Sequence, residues 1–190
     1  MKRQIVFDVD DVMWGLNRRV SELTGIPYEK FTVYHVPQNP NLTEAEKELV
    51  LSVYHDSKTF QNIVFSDTII SLINQIHHEY MNYEVKIVSN CLTAEIMREK
   101  KSQLLNVLDL PEHSLRFNII NIDNAKKKTL PEHIFLLADD SPHNILQAEA
   151  VHKIMPAKPY NDNLIKQGSN IIDRPETDEE LARLVMNYIR

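Results

Sequence analysis

The chain is short of cysteine and glycine, with one Cys91 and only 3 glycines in 190 residues. A single cysteine excludes a disulfide within the chain and fits a reducing compartment. So few glycines leave no glycine-rich phosphate loop of either common kind, which disfavours a kinase. Positive charge is also scarce: 21 Lys and Arg stand against 27 Asp and Glu, for a net charge of -6. That balance offers no global field for a nucleic acid backbone, so no nucleic acid polymer is expected as partner. No apolar run approaches the ~20 residues needed to cross a bilayer. The N-terminal apolar run is broken by Asp8, too early for a signal peptide. The eight histidines, including His77 and His78, lack the spacing of a zinc site. The expectation is a cytoplasmic protein with no membrane partner.

The hydrophobic fraction, 43%, is ample for one buried core, or a core domain carrying an insertion. Three short apolar runs end abruptly in small polar or acidic residues. Gln4 to Phe7 runs into Asp8, Val85 to Val88 into Ser89 and Asn90, and Ile134 to Ala138 into Asp139 and Asp140. Continuous runs of this length suit strands buried on both faces, as in a parallel sheet covered by helices. Further strands are expected at Phe117 to Ile120 and around Lys153 to Met155. Helices are expected at Thr93 to Leu108, with its lysines and arginine on the solvent face, at Asn144 to Val151, and at Glu179 to Ile189. The alternation predicts an α/β fold with a doubly wound parallel sheet.

The interval from Val12 to Asn82 is too long for one crossover, which typically needs little more than about a dozen residues. It holds helical signals at Asn17 to Leu23, Thr43 to Val53 and Asp67 to Tyr80, and a Pro/Asn-rich break from Pro37 to Asn41. Thr43 followed by Glu46 is a capping box. The expected organisation is a core domain of residues 1–11 and 83–190, with a small, mostly helical cap of residues 12–82 inserted after the first strand.

In a parallel α/β sheet, ligands sit beyond the carboxyl ends of the strands. Asp8 and Asp10 are two apart on an extended chain, so their side chains point the same way. Two close like charges need a cation or a shared proton. With Asp140 added from another strand, the site is rich in hard oxygen donors, which suits Mg²⁺. A carboxylate can attack phosphorus, a second can move the proton, and a metal and a lysine can offset the charge.

These residues, in this order, resemble the haloacid dehalogenase (HAD) superfamily of phosphatases. Residues Ile5 to Val12, IVFDVDDV, match the apolar strand followed by D-x-D-x-[TV]. KIVSN matches the second motif, and FLLADD the strand ending in two acids. The resemblance implies Asp8 as nucleophile and Mg²⁺ ligand, and Asp10 as acid/base whose main-chain carbonyl reaches the metal. Ser89 and Asn90 would bind the phosphate, Asp140 would ligate the metal, and Asp139 would support it. The motif lysine falls in the run Lys126, Lys127, Lys128, with Lys128 preferred because Thr129 follows it. The family often has Gly where this chain has Asp11.

The outline also resembles the 5'(3')-deoxyribonucleotidase group, through a helical cap, K-T ahead of FLLADD, and a PYN segment at Pro159 to Asn161. This implies a nucleoside monophosphate as the small phosphorylated substrate, with Trp14 or Phe31 stacking on its base. The alternatives are a phosphotransferase or mutase using the same aspartyl-phosphate, and a non-catalytic binding module.

Overall fold

The computed structural model describes residues 2–120, 129–162 and 172–190. Its elements, in chain order, are β1 (Arg3–Phe7), α1 (Leu16–Thr24), α2 (Glu44–His55), α3 (Asp67–Glu79), β2 (Tyr83–Cys91) and α4 (Ala94–Val107). After them come β3 (Leu115–Ile119), β4 (Ile134–Ala138), α5 (Pro142–Gln147), β5 (Ala150–Ile154), β6 (Ile172–Asp173) and α6 (Asp178–Ile189). The strands form one sheet in the order β3-β2-β1-β4-β5-β6, and every pairing is parallel. The order reverses direction at β1, which lies between β2 and β4. A doubly wound sheet is therefore what the apolar runs form.

Side chains alternate across β1. Ile5 and Phe7 join the larger core, whereas Val6 joins a second cluster on the other face with Val88, Leu137 and Ile145. Both faces are covered, so the stretches leading to their carboxyl ends are mostly apolar, with Lys86 of β2 a buried exception. Their register aligns those ends: Phe7 pairs with Ile87 on one side and with Ala138 on the other. Asp8, Ser89 and Asp139 consequently emerge at the same edge.

Within residues 12–82, α1 and α2 pack on each other, whereas α3 packs on β2 and α6. Gly25, at φ 72°, ends α1 in the left-handed conformation that glycine adopts without strain. Thr43 and Glu46 form the expected capping box of α2, with Thr43 Oγ1 accepting from Glu46 N–H and Glu46 accepting from Thr43 N–H. The Pro/Asn break becomes a short 3-10 turn over Val36–Gln38, anchored by the fully buried Asn39, which donates to Lys30 O at 2.9 Å.

Two expectations need correction. The helix expected from Asn144 to Val151 stops at Gln147, and Ala150–Ile154 forms β5 instead. Pairing with β4 outweighs the helix-favouring Ala, Leu and Glu composition. In α4, Lys100 lies on the buried face, at 1% exposure, between Ile96 and Leu104. No helix among the described residues is long and apolar enough to cross a membrane.

Candidate active site

The site begins where β1 stops. Asp8 N–H still reaches across the sheet to Ala138 O at 2.9 Å, and Asp8 Oδ1 accepts from Val9 N–H at 2.7 Å. The chain then turns. Asp11 sits at φ 55°, a left-handed conformation that Asp tolerates better than most residues and that Gly adopts freely. Here lies the physical reason why glycine suits this position in the resembling family. Asp11 is held there by its own side chain, whose Oδ1 accepts from Asn17 N–H at 3.2 Å while Oδ2 accepts from Asn17 Nδ2 and lies 3.2 Å from the Tyr160 hydroxyl oxygen.

Asp8, Asp139 and Asp140 are all buried, and each presents a carboxylate oxygen within 4.8 Å of the others. The two acids ending β4 differ in how they are held. Asp139 is fastened to the start of α5, accepting from Ser141 N–H at 2.9 Å and from Asn144 Nδ2 at 3.1 Å on both oxygens. Asp140 is tethered by one oxygen, since Tyr160 O–H donates to Oδ2 at 2.5 Å. Its Oδ1 is buried and meets no hydrogen-bond donor among the described residues. A buried carboxylate oxygen without a donor is costly unless a cation answers it.

The electrostatics agree. Burial first, and then the charges of Asp8, Asp139 and Asp11, push the Asp140 pKa well above the ordinary carboxylate range. Burial likewise lifts Asp11 to about 6, against the opposing pull of Lys158. Tyr34, Tyr54 and Tyr160 are raised well above the usual phenol value, by burial and then by the same carboxylates. The cluster thus carries more negative charge than its surroundings neutralise. An all-oxygen set with one unanswered buried oxygen fits a hard cation such as Mg²⁺, which Asp8, Asp139 and Asp140 could hold between them.

Asp10 faces the same cavity from the turn after β1. Trp14 Nε1–H donates to its Oδ1 at 2.9 Å, and Lys100 Nζ donates to its Oδ2. Ser89, fully buried in β2, and Asn90 stand beside them, and Lys100 Nζ lies 3.4 Å from both Ser89 Oγ and Asn90 O. Burial is the largest influence on the Lys100 ammonium and works against it, but the charges of Asp10, Cys91 and Asp8 and the hydrogen bond to Asp10 together outweigh it, and the pKa lies above the ordinary lysine value.

Asp8, Asp10, Ser89, Asn90, Asp139 and Asp140 are therefore together at one sheet edge. Lys126, Lys127 and Lys128 lie outside the described residues. Lys100 and Asn144 were not singled out as site residues in the sequence, and Tyr160 appeared only as part of the PYN segment, with no role given to it. For Lys100 a signal existed: Ile96, Lys100 and Leu104 recur every four residues, so one helix face holds all three.

Asp8, Asp10, Asp11, Asn90 and Asp140 form the floor of a cavity of about 190 Å³. Its walls include Leu16, Val36, Leu51, Leu92, Tyr34 and Tyr54. Trp14 and Phe31 are not among the lining residues; both are buried at 8% and 2% exposure. The aromatic residues that line the cavity are Tyr34 and Tyr54.

No family model matches the chain, and no curated protein matches it. Among solved structures it is similar to a HAD-superfamily hydrolase from Ehrlichia chaffeensis, at a TM-score of 0.51 and 15% identity, with 100% of each chain covered. It is also similar to a phosphoserine phosphohydrolase-like protein from Francisella tularensis subsp. tularensis SCHU S4, at a TM-score of 0.50 and 14% identity, covering 98% of this chain and 100% of that one. At such identities the likeness is one of architecture: the chain has the α/β fold seen in HAD-superfamily hydrolases.

Proposed function

We propose that the chain is a HAD-superfamily phosphomonoesterase that depends on Mg²⁺ and works through an aspartyl-phosphate. The observation that carries this reading is the convergence of Asp8, Asp10 and Asp140 at one sheet edge, with an oxygen of Asp140 left without a donor. Asp8 is the nucleophile. Its carboxylate attacks phosphorus, and the bond from phosphorus to the leaving oxygen breaks as Asp10 supplies a proton. Asp10 then takes a proton from the water that hydrolyses the aspartyl-phosphate. Ser89 and Asn90 hold phosphate oxygens, and the motif lysine, Lys128 or a neighbour in its run, adds positive charge. Bound Mg²⁺ supplies charge neutralisation on the transferring group. Residues 12–82 then contain two parts, a cap formed around α1 and α2, and α3, which joins the core.

For the substrate, the reading is a nucleoside monophosphate, so that the leaving group is the nucleoside. Tyr34 and Tyr54 beside Leu16, Val36 and Leu51 make a wall suited to a flat, partly apolar group. The cavity, about 190 Å³, is smaller than the ~300–1,000 Å³ usual for drug-sized ligands. Binding of a whole nucleotide therefore requires the cap side to yield, and smaller phosphomonoesters fit without that movement.

The test is phosphate release from nucleoside monophosphates, sugar phosphates and p-nitrophenyl phosphate, each with Mg²⁺ and with EDTA. Release that needs Mg²⁺ and disappears in Asp8→Asn is the expected result. Turnover surviving in Asp8→Asn would overturn the mechanism, and a silent wild type across the panel would leave the binding-module alternative.

A further inference from the structure

We infer that Lys100, together with Trp14, positions the carboxylate of Asp10 for proton transfer to the leaving group, an inference that rests on the phosphomonoesterase reading. Three observations converge on it. Both Asp10 oxygens are engaged, Oδ1 by Trp14 Nε1–H at 2.9 Å and Oδ2 by Lys100 Nζ. Two donors on two different oxygens fix the rotation of a carboxylate, which a single donor does not. The Asp10 side chain still lines the cavity, so it is held from the core side and presented to the ligand.

The second observation is burial. Lys100 is 1% exposed, on a helix face otherwise given to Ile96 and Leu104. An ammonium removed from water this far is retained only where specific partners answer it. Those partners belong to the site: Asp10, Ser89 Oγ and Asn90 O.

The third is a shared support. The ring of Phe60, which closes the segment after α2, lies 4.9 Å from Lys100 Nζ and 5.8 Å from the Trp14 ring. Gln103, one turn beyond Lys100, ties the same stretch to α4, donating to Phe60 O at 2.6 Å and accepting from Ile63 N–H at 2.6 Å. Both donors to Asp10 are thus braced by one ring, and that ring is fixed to the helix bearing Lys100.

Lys100 is a positioning residue in this scheme, and leaving-group dependence separates it from a phosphate binder. Departure of an alkoxide needs a proton in the transition state, whereas p-nitrophenolate leaves without one. The measurement is kcat/KM, which reports the steps through leaving-group departure, for a nucleoside 5'-monophosphate and for p-nitrophenyl phosphate. In Lys100→Met the alkyl ester should lose at least about tenfold more than the p-nitrophenyl ester, within the ~10²–10⁴-fold scale of general acid catalysis. Trp14→Phe keeps the ring and removes only the N–H, so it should show the same selectivity to a smaller degree. It also carries the test if Lys100→Met does not fold. The double variant should lose less than the product of the single losses, because both act on one carboxylate.

Equal losses on both esters, with weaker inhibition by inorganic phosphate, would make Lys100 a phosphate ligand and overturn the inference. An unchanged ratio of the two esters in a folded, active variant would also overturn it. A wild type that cleaves neither ester removes the phosphomonoesterase reading and this inference with it.

Discussion

Tyr160 O–H spans two acids, donating to Asp140 Oδ2 at 2.5 Å and lying 3.2 Å from Asp11 Oδ2. By taking one oxygen of Asp140, it turns the other, donor-less oxygen into the carboxylate's open valence. Asn161 fixes the backbone behind it, donating to Asp140 O at 3.0 Å and to Pro156 O at 2.9 Å. The PYN segment thus orients an acid that the sequence places far from it.

Tyr160→Phe should therefore raise the Mg²⁺ concentration needed for half-maximal phosphate release. Loss of a partner that orients a metal ligand commonly costs about 10–100-fold in metal affinity. At saturating Mg²⁺ the rate should recover most of its wild-type value. A rate that stays low at every Mg²⁺ concentration would show Tyr160 acting elsewhere in the cycle.

Asp8→Asn should reduce phosphate release to background while leaving the fold intact. After burial, the charge of Asp8 is the largest influence raising the pKa of Asp140. Removing it relieves repulsion in the metal-free protein. Thermal unfolding in EDTA should accordingly show an unchanged or higher Tm for the variant.

Mg²⁺ should stabilise the wild type. A ligand binding only the folded chain adds about 2.7 kcal/mol when its concentration is a hundred times Kd. Melting temperatures across a Mg²⁺ titration should rise, and Asp140→Asn should flatten that rise. A flat wild-type curve would count against a metal at this cluster.

Asp11 gives a pH signature. Its folded pKa of about 6 stands above the ordinary 3.8, chiefly through burial. Between those values the folded chain binds the proton more tightly than the unfolded chain. The contribution of Asp11 to stability is thus largest below about pH 4 and is lost as pH rises through about 6, by on the order of 3 kcal/mol. Asp11→Asn keeps a residue tolerant of φ 55° and has no proton to lose there. In EDTA, denaturant unfolding should find the variant matching the wild type near pH 4 and exceeding it near pH 7.

The strands β1, β2 and β4 were legible because burial on both faces writes a parallel strand as a largely apolar run, and their ends because Asp8, Ser89 and Asp139 break the runs abruptly. β6, only two residues long, leaves no such trace. The acids were legible as a set because like charges at two strand ends, those of β1 and β4, need a common explanation. The supports were not. Trp14 and Phe31 were expected to face a base, yet size and aromaticity do not say which way a ring points, and both turn inward. Lys100 was assigned to solvent by its charge, although its four-residue spacing to Ile96 and Leu104 placed it inside. Asn144 and Tyr160 reach the acids through contacts set only by the folded chain.

The strand order carries one more implication, for the route by which the molecule forms. β1 is flanked by β2 and β4, and more than a hundred residues separate Asp8 from Asp140. Contacts of such sequence separation form late and slow the search for the native state. The first acids of the cluster are in hand long before their partners, so a nascent chain carries Asp8 and Asp10 without the strand that completes their neighbourhood. The acidic cluster is complete only when Ile134–Ala138 lies beside β1, so its assembly depends on a contact of long sequence separation.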